Sequence, residues 1–145
     1  MMCDLVVFMI GEREFCISGQ VVHEIRDWAP APPLPHSPRH LHNVITVGGM
    51  TVPLMDMSDS LGLGQTDPVK RHAVIVVVNG SRRAALLVDS VSGRVSVRAD
   101  RIQQVAGASD NGKSRAISGI ANIEDRMVCV VKPDAMFGAY GSEAA

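Results

Sequence analysis

Short apolar segments, separated by turn-forming residues, recur along the whole chain. They are rich in valine, whose β-branched side chain favours strands. The segments predicted to be strands are residues 5–10, 14–18, 44–47, 51–55, 73–78, 82–88, 94–97 together with Val91, 115–120 and 126–131. Residues 21–26 and 101–105 are further candidates, and the first of these fits either a strand or a helix. With few helical segments and no alternation of strands with helices, the pattern predicts an all-β fold of two small barrels or one large sandwich.

Within residues 21–26, apolar and polar side chains are interleaved. Val21, Val22 and Ile25 are the apolar positions, which we expect to face the core. Glu24 and Arg26 fall between them, so the pattern predicts that these two charged side chains point outward.

The stretch 34–63 joins a stiff lead-in, a tight hairpin and a capped helical turn. Proline fixes φ and restricts the preceding residue, so the lead-in is biased towards extended backbone by Pro32, Pro33, Pro35 and Pro38. Gly48 and Gly49 supply the positive φ that a two-residue hairpin turn demands. Asp56 can accept hydrogen bonds from the N–H groups of Ser58 and Asp59, which predicts a short helix after it.

Two other turn signals divide the second half of the chain. Asn79 and Gly80 lie between apolar runs, a pattern typical of a hairpin. Residues 122–125 separate the last two predicted strands. Pro133 suits the first turn of a short terminal helix running to Phe137, which we expect to pack on a barrel.

Length and cysteine content indicate one folded unit in a reducing compartment. The chain has 145 residues, enough for one domain or for two small subdomains that share a core. Cys3, Cys16 and Cys129 are odd in number and widely spaced, so they are interpreted as reduced core thiols. The first residues lack the basic segment and cleavage site of a secretory signal, and cytoplasmic residence is therefore expected.

Charge and hydropathy exclude two classes of partner. The formal net charge is −1, with 14 basic and 15 acidic side chains mixed along the sequence. A nucleic-acid-binding protein needs a concentrated basic surface, so nucleic acid is not an expected partner. The apolar runs are far shorter than the ~20 residues of a membrane-spanning helix, and no membrane insertion is expected.

Side chains capable of chemistry do not form a motif. Asp56 and Asp89 each follow an apolar strand, but nothing in the sequence brings them together, so capping of a helix and of a turn is their predicted role. The chain lacks a G-x-S-x-G elbow, a local Cys/His signature, a P-loop and a G-x-G-x-x-G. No catalytic residue and no cofactor is predicted.

Three histidines in the lead-in are the candidate ligands of a metal site. His36 and His40 have an i, i+4 spacing and His42 follows, but zinc requires further ligands and Pro38 places His36 outside any helical turn. A solvated loop is the preferred interpretation, and no metal site is predicted. A small metal-dependent enzyme remains an alternative.

Sequence elements that include VHEIR at 22–26, VPLMDM at 52–57 and LLVDSV at 86–91, taken in order, resemble those of the CheW family, the adaptor proteins that couple chemoreceptors to the histidine kinase CheA in bacterial chemotaxis. VHEIR at 22–26 resembles V-x-E-I-x, and SP at 37–38 through VI at 44–45 resembles P-x-x-x-x-G-V/I. The glycine at 49 and VPLMDM at 52–57 resemble the N-L-R-G and I-x-P-V-x-D-L-R elements. LLVDSV at 86–91 resembles G-L-x-V-D-x-V, and ISGIA at 117–121 with DRMV at 125–128 resembles the closing hairpin.

The resemblance implies a fold, partners and contact residues. The fold would be one domain over residues 1–145, made of two SH3-like five-stranded barrels with a shared apolar core and a short C-terminal helix. The chain would switch barrels near residues 64–72, and the N-terminal strand would pack with the second barrel. The partners would be the regulatory domain of a CheA-type kinase and the cytoplasmic tip of a chemoreceptor.

Specific positions follow from the same resemblance. The expected kinase contacts are Val22, Glu24 and Arg26. The expected receptor contacts are Val44, Thr46, Gly48 and Gly49. The positions expected to be structural are Pro53, Asp56, Val88, Asp89 and Gly119.

The chain also departs from the family pattern. Gly48 and Ser58 stand where arginines are usual, Asn43 stands where a glycine is usual, and Lys132 stands where an acidic residue is usual. These changes fall at turns and exposed positions, so they leave the predicted fold intact. They leave open the alternative that the chain binds a kinase or another partner without receptor coupling.

Overall fold

The computed structural model of the chain describes residues 1–28, 44–61, 63–64, 72–104 and 117–133, and strands dominate them. The strands are β1 (Met2–Ile10), β2 (Arg13–Ser18), β3 (Val22–Asp27), β4 (Val44–Val47), β5 (Met50–Asp56), β6 (Ala73–Asn79), β7 (Arg82–Val88), β8 (Ser90–Arg98), β9 (Ile102–Gln104), β10 (Ile117–Ile123) and β11 (Arg126–Val131). One short helix, α1 (Met57–Ser60), and 3-10 turns at Gly19–Val21 and Ala99–Arg101 connect them. The predicted terminal helix beyond Pro133 lies outside the described residues.

The strands form two sheets. The first barrel is the five-stranded sheet with the order β3-β6-β7-β5-β4, and the second barrel is the six-stranded sheet with the order β8-β1-β2-β11-β10-β9. Neighbouring strands are antiparallel, except for the parallel pairs β5–β7 and β2–β11. The prediction of an all-β fold with two SH3-like barrels is confirmed. The second sheet has one strand more than expected because β9 pairs with β10.

Three apolar clusters explain why the two sheets stay together. One cluster lies within the first barrel and a second within the second barrel. The largest lies between them and takes side chains from both sheets, including Phe8 and Ile17 from the second barrel and Ile75, Leu86 and Val88 from the first. Alternate residues of a strand face opposite sides of its sheet. The central strands of both sheets contribute to the cluster of their own barrel on one side and to the shared cluster on the other, so they are apolar on both faces.

Within the described residues, the chain crosses between the sheets twice. It leaves the second barrel through the 3-10 turn Gly19–Val21 and returns to it at Asp89, between β7 and β8. The return was expected near residues 64–72, but β6, which follows that stretch, still belongs to the first barrel. The crossing is instead the single residue Asp89, between the largely buried strand β7 and the partly exposed strand β8.

Strand positions agree with the sequence pattern, but several bounds differ. β1 begins at Met2, before the apolar run at 5–10, because its first residues pair with β8. The segments predicted at Val91 and 94–97 form the single strand β8, whose register against β1 shifts at a bulge between Val7 and Phe8. Residues before Ile117, predicted to start β10, lie outside the described part of the chain.

Candidate docking site

The alternation of side chains along β3 differs from the prediction. Val22, Glu24 and Arg26 are half-buried, whereas His23, Ile25 and Asp27 are the more exposed set. Ile25, expected in the core, is 39% exposed, so that prediction was wrong. The alternation is regular from Val22 to Asp27, so Val22 and Ile25, three residues apart, lie on opposite faces of β3. A register shift against β6 between Val22 and Glu24 places His23 in a bulge.

The pairing of β3 with β6 explains where these side chains lie. Glu24 is paired with Val76 and Arg26 with Val74, and both valines belong to the core of the first barrel. Directly paired residues share a face of the sheet, so Glu24 and Arg26 lie at the rim of that core. β3 is an edge strand, which is why their side chains remain 36% and 37% exposed.

All three nitrogen atoms of the Arg26 guanidinium group donate hydrogen bonds. Nε and Nη2 donate to Oε2 of Glu24 at 3.1 and 2.9 Å. Nη1 donates to the backbone carbonyl of Thr46 at 3.1 Å, which joins β3 to β4. This contact brings the expected kinase-contact strand against the expected receptor-contact hairpin. The sequence pattern gave no sign of it, since the acceptor is a backbone atom twenty residues away.

The β4–β5 hairpin presents the expected receptor contacts at an exposed turn. Gly48 and Gly49 have φ angles of 56° and 81°, so the predicted positive-φ turn is confirmed. Thr46, Gly48 and Gly49 are exposed, and open space surrounds both glycines where a side chain would project. Val44 opens β4, but its side chain lies outside the described part of the structure. The tip of the hairpin therefore offers backbone and apolar surface without a charged side chain.

Asp56 occupies the position predicted for a helix cap. Its Oδ1 accepts hydrogen bonds from the backbone N–H of Ser58 at 3.1 Å and of Asp59 at 3.4 Å, at the start of α1. This helix packs Met57 into the shared core. The cap thus fixes the end of β5 and orients the chain that follows the hairpin.

Asp89 holds the crossing between the barrels. Its Oδ2 accepts a hydrogen bond from the backbone N–H of Gly11 at 2.6 Å, and its own N–H donates to the carbonyl of Met9 at 3.0 Å. Its Oδ1 lies 3.5 Å from Nε2 of the buried His72. Asp89 caps a turn, as predicted, but the turn is the one between β1 and β2 and not its own.

The remaining positions expected to be structural lie at points of close packing. Val88 is buried in the shared core. Gly119 lies where β10 passes β9 so closely that a Cβ atom would overlap the carbonyl of Gln103. Pro53 pairs with Val44, one residue before the β5–β7 ladder begins at Leu54. A residue without an N–H group is tolerated there, at the end of the ladder.

All three cysteines are free thiols. Cys16 is buried in the second barrel, whereas Cys3 and Cys129 are only half-buried, so the prediction of core thiols holds fully for Cys16 alone. Burial raises the pKa of the Cys16 thiol to about 12, and the nearby Cys129 adds to the effect. Since the thiolate is the reactive form, Cys16 is chemically inert in the folded protein.

Neither a metal site nor a membrane-spanning helix is found in the part of the chain that the structure describes. No group of three or more His, Cys, Asp or Glu side chains there could hold a metal ion. His36, His40 and His42 lie outside the described residues. None of the described helices has both the length and the apolar character needed to span a bilayer.

The fold defines a class of protein: a two-barrel β module with an edge strand, β3, and an exposed hairpin, β4–β5, on its first barrel. The chain matches the model of the CheW-like domain over residues 4–140, and it belongs to that family. It is 37% identical over 142 residues to the chemotaxis protein CheW of Rhizobium meliloti (strain 1021), covering 98% of this chain and 92% of that one.

More distant proteins support the same assignment. The chemotaxis protein CheW of Bacillus subtilis (strain 168) is 21% identical over 141 residues, covering 97% of this chain and 90% of its own length. The crystal structure of the scaffolding protein TtCheW from Thermoanaerobacter tengcongensis superimposes with a TM-score of 0.80 at 23% identity, covering 97% of this chain and 96% of that one. The fold is therefore that of a known scaffolding protein.

Proposed function

We propose that the chain is a non-enzymatic adaptor that couples chemoreceptors to a CheA-type histidine kinase in chemotaxis signalling. The family match across residues 4–140 carries this proposal, together with a relative named for chemotaxis at 37% identity. CheW family proteins are scaffolds and adaptors and not enzymes, so the alternative of a small metal-dependent enzyme is not retained. The proposed role places the chain in the cytoplasm.

The kinase would dock on β3 through its regulatory domain. Val22, Glu24 and Arg26 are half-exposed on an edge strand, where a partner can reach both the charge pair and the backbone. Such a charge pair contributes to orientation and association rate more than to affinity. Ile25, exposed on the other face of the same strand, offers an additional apolar contact.

The receptor tip would dock on the β4–β5 hairpin at Val44, Thr46, Gly48 and Gly49. Without an arginine at position 48, the turn has no planar five-donor group with which to hold a carboxylate. Recognition there rests on apolar packing and on backbone shape. Met50, directly after the turn, is apolar and 49% exposed, whereas Val47, directly before the turn, is buried.

A docked adaptor would act by geometry. Holding the kinase and the receptor in fixed register lets a small receptor movement bias a two-state kinase, provided that the contacts differ between the two states. The shared core of the two barrels supplies the required stiffness, since tightly packed interiors transmit displacement.

A second candidate function keeps the kinase and omits the receptor. It is favoured by the open space around Gly48 and by the local role of Ser58, whose N–H is engaged by Asp56. In that case the chain would serve another motility or second-messenger circuit, or compete for kinase sites.

Titration of the purified chain with two separate fragments tests both candidates. One fragment is the regulatory domain of a CheA-type kinase and the other is a helical receptor tip. Binding of both supports the adaptor, and binding of the kinase fragment alone supports the second candidate. If neither fragment binds at concentrations up to about 1 mM, which corresponds to about 4 kcal/mol of binding free energy, both are wrong.

A further inference from the structure

The first barrel ends in two edge strands, and a side chain joins them. β3 and β4 lie at opposite ends of the five-stranded order, and no backbone ladder pairs them within the described residues. Arg26 reaches from β3 to the carbonyl of Thr46 on β4. Within the described residues, one guanidinium group therefore spans the gap between β3 and β4, which we call the seam.

The geometry of the hairpin makes the Thr46 carbonyl available. The two-residue turn makes Val47 and Met50 its closing pair, and pairs in an antiparallel ladder alternate between hydrogen-bonded and non-hydrogen-bonded types. Thr46, paired with Thr51, is thus of the second type, and its carbonyl points away from β5. An acceptor on this open edge would otherwise face solvent.

The contact requires an arginine. One edge of the guanidinium, Nε and Nη2, is fixed on Glu24, and this orients Nη1 towards Thr46. A lysine has a single ammonium group and cannot hold a carboxylate and a carbonyl in a planar arrangement at once. Glu24 therefore fixes the arginine, and the arginine fixes β4.

We propose that Arg26 is a positioning residue that couples the kinase-docking and receptor-docking surfaces, an inference that rests on the proposed function. Glu24 and Arg26 keep more than a third of their side-chain surface exposed, so the free protein does not fully restrain them. A partner bound on β3 covers the pair and fixes its rotamers. Fixing Arg26 orders the edge of β4, so the second partner meets a hairpin that is already positioned.

The coupling has a defined sign and is reciprocal. Each partner raises the affinity of the other, because ordering completed by the first need not be repeated by the second. By thermodynamic linkage, the same factor applies in both directions. Arg26 thus lets binding of one partner change the affinity for the other, in addition to any contact that it makes with the kinase.

A binding cycle measures this coupling directly. The affinity of the receptor tip is determined by calorimetry, alone and with a saturating kinase regulatory domain, for the wild type, Arg26→Met, Arg26→Lys and Arg98→Met. Arg98 is a matched control, because it also pairs with a carboxylate two residues away, Asp100, at 2.7 Å, and the pair lies in the second barrel. Thermal unfolding confirms that each variant is folded.

We expect the kinase fragment to raise receptor affinity at least about fivefold in the wild type and in Arg98→Met. In Arg26→Met and Arg26→Lys the factor should fall to within about twofold of unity. A wild-type factor near unity, or a factor kept in Arg26→Met, overturns the coupling while leaving the adaptor function standing. Failure of the wild type to bind either fragment overturns the adaptor function, and the coupling with it.

Amide hydrogen exchange of the free protein tests the structural step separately. Arg26→Met should exchange faster than the wild type across β4, and Arg98→Met should not. Equal exchange across β4 in Arg26→Met and the wild type overturns the role of Arg26 in holding the hairpin, whichever fragments bind.

Discussion

The two barrels close their sheets in different ways. In the second barrel, the edge strands β8 and β9 are joined directly by the 3-10 turn Ala99–Arg101, so the closure is covalent and short. In the first barrel, the edge strands β3 and β4 are separated by the longer stretch 28–43, and within the described residues the side chain of Arg26 links them through a backbone carbonyl. A covalent turn holds its strands permanently, whereas a half-exposed ion pair can be strengthened or displaced by a partner. The proposed docking surfaces lie on the barrel with the adjustable closure.

The shared core should make the two barrels unfold together, however each sheet is closed. Val88→Asp tests this and has the largest expected effect. Val88 is 1% exposed between the two sheets, and an unpaired buried charge costs several kcal/mol. We expect loss of the folded state in both barrels together, measured by circular dichroism and thermal unfolding. Val88→Ala, which only leaves a small cavity, should remain folded. A folded Val88→Asp protein would contradict the position of the shared core.

Substitution of Asp89, where the chain returns to the second barrel, should lower the free energy of unfolding less than Val88→Asp does and more than Glu24→Lys does. Asp89→Ala removes the acceptor for the Gly11 N–H and the neighbour of His72, and should lower the free energy of unfolding by about 1–2 kcal/mol. Asp89→Asn, which keeps a side-chain acceptor, should recover part of the loss. The control is Asp100→Ala at an exposed pair, expected within about 0.5 kcal/mol of the wild type in urea unfolding. Equal effects of Asp89→Ala and Asp100→Ala would contradict the role of Asp89 in stabilising the turn between β1 and β2.

The interior of the second barrel can be followed through the pH dependence of stability. The pKa of Cys16 rises from 9.0 to about 12 on folding. Below pH 9 the thiol is protonated in both states, and stability is complete. Between pH 9 and 12 the unfolded state loses its proton first, so stability should fall by up to about 1.4 kcal/mol per pH unit.

The matched variant for that measurement is Cys16→Val, which keeps an apolar side chain of similar size and has no thiol. Urea unfolding of both proteins between pH 8 and pH 10.5 isolates the contribution of the thiol. The wild type should lose stability with pH more steeply than the variant. Parallel pH profiles would show that Cys16 is not buried as the structure places it.

The seam should give the smallest effect on stability and a clear effect on binding. Glu24→Lys replaces the partner of Arg26 with a like charge at a half-exposed position, where pairs contribute little to folding. We expect the free energy of unfolding to change by no more than about 0.5 kcal/mol, while association with the kinase regulatory domain weakens. Asp100→Lys makes the same charge change in the second barrel and should leave kinase affinity unchanged. Undiminished affinity of Glu24→Lys would remove β3 from the kinase-docking surface.

The sequence was most informative where local chemistry decides structure. Gly48 and Gly49 predicted the turn between β4 and β5, and Asp56 predicted the cap of α1. Both features depend on the backbone within a few residues. Family resemblance then supplied the two-barrel architecture, which periodicity alone had left undecided between barrels and a sandwich.

The remaining features depend on contacts that no local pattern encodes. Ile25 was expected in the core together with Val22, but the segment proved to be a strand, in which residues three apart lie on opposite faces. The link from Arg26 to Thr46 and the bond from Gly11 to Asp89 join positions far apart in the chain, and one partner in each is a backbone atom. Backbone acceptors and donors are present at almost every residue, so the sequence does not single them out.

The two crossings of the chain set an order of assembly during synthesis. All strands of the first barrel lie between Val22 and Val88, so that sheet can form before the last strands have been made. β1 and β2 are synthesised first, but their partners β8 and β11 come last, so the second barrel forms by contacts distant in sequence. The growing chain can therefore complete the barrel with the proposed docking surfaces first, whereas the β1–β2 hairpin lacks its neighbouring strands until β8 and β11 have been made.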